Sequence, residues 1–263
     1  MSVFDEVRTS TAISRINPVA RIAATIPLSL VLVISVDWVS ALVALVLELV
    51  LFTIAGLAPV LASPRLIPIW LAAPLAGFTV LLYGQPSGET YLQFGLVHIT
   101  DGSIELAIAI TIRVLAIALP AVVLFLTIDP VELADGLAQV VRLPADFVLG
   151  ALAGLRLVGM FIEDWRSLER ARRARGIADR GLIRRFFGQA FALLVLSIRR
   201  GTKLATAMEA RGMGADIPRT WARESTVGAR DWGFIAIGVA VAVVSAAVSI
   251  LSGHWNPLLG GTA

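Results

Sequence analysis

The chain has 263 residues, of which 57% are hydrophobic and only 16% charged, too apolar a balance for an ordinary soluble domain. It contains no cysteine, which excludes disulfides, Cys-based zinc sites and thiol nucleophiles together. Its net charge of +3 comes from a local concentration of Arg, which asks for a topological explanation before a nucleic-acid one.

Apolar runs near 20 residues recur, the length that a hydrocarbon core of ~30 Å requires. The fold class read from them is all-α and polytopic. In chain order, Met1 to Asn17 is polar and lies along the membrane surface or frays. Pro18 to Val36 is the first expected span, with Pro27 inside it. It leads through Asp37-Trp38 into a second span, Val39 to Leu57, without a cleavage site, so no removable signal peptide is expected. A Pro-rich link from Pro59 to Pro68 precedes the third span, Leu66 to Tyr83. The segment Gly84 to Ser103 differs: two alternating stretches flank Gly95, as in a small β-hairpin or an extended loop. Ile104 to Ile128 is the fourth span. Asp129-Pro130-Val131-Glu132 then opens a short helix, with Asp as N-cap, Pro in first position and Glu completing a capping box. That helix is expected to end near Arg142, before Pro144. Trp232 to Leu251 is the fifth span.

Two further apolar runs, Phe147 to Ile162 and Phe186 to Ile198, are shorter than a comfortable span. Were they to cross as a hairpin, the link Glu163 to Arg185 would lie outside with its eight Arg residues, against the positive-inside rule. Seventeen of the 22 Lys and Arg residues fall between Ile128 and Arg230, while 84–103 and the tail after Leu251 have none. The expected order is therefore 1–128 with spans one to four, 129–230 cytoplasmic, and 231–263 with the last span and an outer tail. The N-terminus is inside and the C-terminus outside. The two short apolar runs lie against the inner face of the spans, or are covered by another protein.

Within 129–230, two helical runs close in the same way: Ala174-Arg175-Gly176 and Glu209-Ala210-Arg211-Gly212. Gly just past a helix adopts the left-handed conformation that ends it. Arg stands where the negative end of the helix dipole favours a cation, and its planar fork suits a carboxylate. Little else points to chemistry. The phosphate-binding pattern Gly-x-x-x-x-Gly-Lys-[Ser/Thr] cannot occur, because Lys203 is the sole Lys and Leu204 follows it. His98 and His254 have no metal-like spacing, and there is no Gly-x-Ser-x-Gly elbow. No catalytic or metal site is expected.

These features together resemble the transmembrane T component of energy-coupling factor (ECF) transporters, the EcfT/CbiQ-like family. Asn17-Pro18-Val19-Ala20-Arg21 is similar to that family's Asp-Pro-x-x-Lys opening, with Asn and Arg as substitutions. Thr127 to Ala134 resembles its entry into the coupling region, and the two Ala-Arg-Gly endings are its most diagnostic feature. The resemblance implies two long coupling helices whose terminal Arg residues, Arg175 and Arg211, insert into two cytoplasmic ATPase subunits. It also implies a separate substrate-binding S subunit in the membrane, for a vitamin or a transition-metal ion. ATP and Mg2+ would sit on the partners and no cofactor on this chain, in a prokaryotic plasma membrane. The small-residue face of Gly150 and Gly154 meets either this chain's own helices or the S subunit.

Two charges within the expected spans remain. Glu48 and Arg113 each sit roughly 13–16 Å deep at ~1.5 Å per residue, where an isolated charge is expensive. They are expected to face each other as a pair. An ion-coupled secondary carrier would also use such residues, but the sequence has no inverted repeat. A non-transport membrane scaffold is the other alternative.

Overall fold

A computed structural model describes residues 12–84, 87–94, 97–176, 181–215 and 220–256. Its helices are α1 (Pro18–Ile34), α2 (Trp38–Ile54), α3 (Ile67–Tyr83), α4 (Asp101–Leu126), α5 (Pro130–Gln139), α6 (Ala145–Ala174), α7 (Leu182–Ala210) and α8 (Ala229–Leu251). Two strands, β1 (Thr90–Phe94) and β2 (Val97–Thr100), pair antiparallel with an irregularity between Thr90 and Leu92. The expected hairpin is thus present, though Gly95 lies outside the described residues. The chain is an all-α membrane protein carrying this one small hairpin.

It divides into two compact units, residues 1–136 with 225–263, and residues 137–224. In the first, α4 packs on α1, α2 and α3, while α8 closes against α1 and α2. One core cluster gathers Phe52, Leu57, Leu66, Leu119 and Val123; the other gathers Leu28, Leu32, Ala41, Ala116 and Val241. Small residues let these helices approach. At Gly238 an added Cβ would lie 2.2 Å from the Ala24 carbonyl oxygen, a backbone atom that cannot swing aside. Gly238→Ala should therefore push α8 off α1 and cost ~1–3 kcal/mol, read as a lower unfolding midpoint of the purified protein.

Element ends follow polar side chains more closely than apolar runs. α4 starts three residues before the expected Ile104, because Thr100 and Ser103 cap reciprocally: the Ser103 amide donates to Thr100 Oγ1 (3.3 Å) and the Thr100 amide to Ser103 Oγ (2.8 Å). α5 begins as expected, with Asp129 accepting from the Val131 and Glu132 amides. It stops at Gln139, short of Arg142, which takes the left-handed conformation (φ 61°). α3, with the single turn before it, α4, α6 and α8 are each long and apolar enough to cross a membrane; α1 and α2, at 17 residues, are shorter apolar helices. α6 meets this measure because the short apolar run at 147–162 belongs to one unbroken helix of 30 residues.

Two polar knots fix the ends of the bundle. At the first, the Asn17 side chain accepts from the Val19 amide and donates to Ser225 Oγ and the Thr226 carbonyl, and its backbone amide donates to Asp231. Asp in its place has no N–H for Thr226, which accounts for Asn here. Arg21 is 1% exposed. Its guanidinium donates twice to the Ile16 carbonyl (3.0 and 2.8 Å) and to the carbonyl and hydroxyl of Thr127 (3.0 and 3.3 Å). This Asn-Pro-x-x-Arg stretch therefore ties the entry of α1 to the end of α4 and the start of α8. At the second knot, buried Asp37 caps α2 through the Ser40 amide (2.6 Å) and accepts from the hydroxyls of Ser35, Ser40 and Ser249. Burial alone would push its carboxyl up; the serine donors outweigh this and hold it below the usual carboxylate range.

Candidate functional site

The second unit is built on α6 and α7, 30 and 29 residues long, or about 45 Å each at 1.5 Å per residue. Their sequences are rich in Ala, Leu and Arg, strong helix formers, which helps each helix continue through its Arg-rich part. Ion pairs join the two. Arg200 grips Asp164 through both carboxylate oxygens, with Nη2 to Oδ1 at 3.2 Å. Arg185 of α7 meets Glu169 of α6, which also holds Arg173 one turn on. Trp165 packs its ring on Phe186 at 5.6 Å between centroids. The pairs between the two helices are not signalled by spacing, since Asp164 and Arg200 lie 36 positions apart; Glu169 and Arg173, at i and i+4, are.

Both helices end in one conformation. After α6, Arg175 (φ −87°, ψ 3°) precedes Gly176 at φ 67°, whose amide donates to the Arg173 carbonyl at 3.0 Å. After α7, Arg211 (φ −92°, ψ 11°) precedes Gly212 at φ 83°, whose amide donates to Glu209 at 2.9 Å. The Met213 amide then returns to the Met208 carbonyl, completing at the second end the pair of bonds that seals a glycine-terminated helix. A left-handed residue at this point is why Gly stands there twice. Ala174, Arg175, Gly176, Glu209, Ala210 and Arg211 are exposed and Gly212 half-buried. Among the described residues neither Arg175 nor Arg211 enters a salt bridge. Each end is an exposed forked cation on a glycine-terminated helix tip, between Ala and Gly.

The faces leading to these tips are apolar and uncovered. Phe147, Leu155, Val158, Ile183, Phe187, Phe191 and Ile198 are each more than half exposed. An added Cβ at Gly150 or Gly154 would meet nothing within 4 Å. A groove of about 710 Å³ runs between α6 and α7, walled by Leu149, Leu152, Met160, Leu204, Met208 and Met213 and rimmed by Arg156, Arg200 and Arg211. Unbroken apolar surface of this extent marks contact with lipid or protein.

The expected pair of Glu48 and Arg113 is not formed. Among the described residues, neither Glu48 oxygen has a hydrogen-bond partner, and Arg113 Nε and Nη2 have none. Glu48 lines a cavity with Pro120 and Leu124 of α4, which lie well past Arg113 along that helix. Arg113 stands nearer the start of α4, and helical side chains lean toward that end.

The family model of CbiQ, cobalt transport protein, matches residues 9–220. Several relatives named energy-coupling factor transporter transmembrane protein EcfT match over most of their length. That of Brevibacillus brevis is 31% identical over 203 residues, covering 72% of this chain and 73% of the relative. That of Lactococcus lactis is 27% identical over 238 residues, covering 83% and 86%. That of Bacillus subtilis is 26% identical over 207 residues, covering 73% and 74%. The chain thus belongs to the CbiQ family, as a multi-pass transmembrane component of the energy-coupling factor transporter type.

Proposed function

We propose that this chain is the coupling subunit of an importer, passing ATP-driven motion from two cytoplasmic ATPase subunits to a substrate-binding membrane subunit. The observation that carries the reading is the pair of helix tips with one backbone conformation and, on each, an exposed guanidinium that enters no salt bridge among the described residues. Two equivalent plugs suit two equivalent sockets, as an ATPase dimer offers. The ion pairs between α6 and α7 let the tips move as one body. The uncovered apolar faces and the open glycines Gly150 and Gly154 suit a substrate-binding subunit. ATP hydrolysis belongs to the partners, and the cargo is a vitamin or a transition-metal ion.

Residues 129–230 face the cytoplasm of a prokaryotic plasma membrane, with the N-terminus inside and the C-terminus outside. The Arg-rich second half of α6 keeps that helix on the inner side although its first half is apolar enough to span. In this cysteine-free chain, Ser252→Cys should react with an impermeant thiol reagent on intact cells, and Glu224→Cys only after the inner face is opened. The reverse pattern would overturn the orientation.

Purifying the tagged chain from its own membranes and identifying its companions tests the function. Two ATPase subunits and a small membrane protein are expected. A lone homo-oligomer passing ions, or a soluble partner without ATPase activity, would replace coupling by a carrier or a scaffold.

A further inference from the structure

Glu48 is 4% exposed and, among the described residues, neither carboxylate oxygen has a hydrogen-bond partner. It lines a cavity of about 330 Å³ in the membrane-helix unit, whose other walls are almost wholly apolar: Leu28 of α1, Phe52 of α2, Pro120 of α4, and Phe234 and Ile237 of α8. The nearby polar groups are engaged elsewhere. The Thr25 hydroxyl, also on the wall, donates to its own helix at Ile22. Arg21 of α1 is spent on Ile16 and Thr127, Asp231 of α8 on Asn17 and Gly228, and Arg113 of α4 is not among the residues lining the cavity. Helix packing has therefore set one acid against apolar walls, with no counter-charge paired to it among the described residues.

Cavities that hold small molecules have this composition, apolar walls with a few polar groups that orient the ligand, in a size range beginning near ~300 Å³. We propose that this cavity binds a small lipophilic amine, its ammonium group paired with Glu48 and its hydrocarbon part against Phe52, Phe234 and Ile237. The sign follows from the acid: a buried charge without a partner is costly, and a cation supplies both charge and hydrogen bonds. The size follows from the volume, roughly ten non-hydrogen atoms at the ~30 Å³ that each water occupies. Entry is from the lipid side, because Ile54 on the rim is 77% exposed.

The test uses the full-length purified chain and radiolabelled octylamine, read by scintillation proximity above a detergent-only background. Saturable binding near one per chain is expected, displaced by unlabelled octylamine and not by octanol. Glu48→Gln should weaken it by about tenfold or more. Ile237→Trp, at a position 46% exposed where bulk is tolerated, should remove the capacity while leaving Glu48 in place. Absence of saturable binding, equal binding by Glu48→Gln, or equal displacement by octanol would overturn the amine site. The last would leave an apolar cavity only, and release of a proton without amine binding would leave a protonation site only. Neither outcome touches the docking tips, so this inference and the coupling function fail separately.

Discussion

Arg175→Ala combined with Arg211→Ala should leave the chain folded in the membrane but unable to hold its ATPase subunits. Each guanidinium sits on an exposed helix end outside both cores of the first unit, so removing it disturbs little within the chain. Truncating one partner of a desolvated charged pair costs ~2–5 kcal/mol, or roughly 30-fold to several thousand-fold in affinity. The single changes should loosen one ATPase contact each, and the double change should lose the complex on purification and lose ATP-dependent uptake. Lys should restore little at either position, because an ammonium cannot reproduce a planar fork. Arg166→Ala, on the shaft of α6, should keep the complex. An intact complex and normal uptake in the double variant would remove the role assigned to both tips.

Arg21→Met should have the largest effect on the first unit. The substitution keeps much of the aliphatic stem but strips the Ile16 and Thr127 carbonyls of the three bonds they now receive, and the Thr127 hydroxyl of the fourth. At ~1–3 kcal/mol for each stranded acceptor, a loss of about 3 kcal/mol is expected. Denaturant titration of the purified protein should show it as an earlier midpoint. Arg21→Lys should fall between, since an ammonium has donors for both carbonyls but cannot reach them as a fork. Equal stability of Arg21→Met and the unchanged protein would contradict the assignment of this side chain as the tie between α1 and α4.

The apolar helices of the first unit are legible in the sequence because length and hydropathy are set by the bilayer itself. Their starts are less so. Asp101 and Gly102 read as loop, yet the reciprocal Thr100 and Ser103 cap draws α4 back across them. The two tips are legible because Gly at a helix end has a conformational cause visible residue by residue. Tips that share one conformation, however, needed three dimensions, as did the clamp between Asp164 and Arg200. The bonds of Arg21 and Asp37 were not legible, because their partners are carbonyls and serines, groups that no spacing rule singles out. The Glu48 and Arg113 pairing failed for a geometric reason: Glu48 meets α4 at Pro120 and Leu124, past Arg113, so similar depth did not bring the two groups together.

The most direct measurement is crosslinking from the tips themselves. Ala174→Cys and Ala210→Cys place a single thiol beside Arg175 and Arg211, respectively, in a chain otherwise free of cysteine. With a short bifunctional reagent on native membranes, coupling through both tips requires each variant to join one ATPase subunit, and the double variant to join two per chain. Crosslinks that form only between copies of this chain, or an ATPase product from one tip alone, would contradict it.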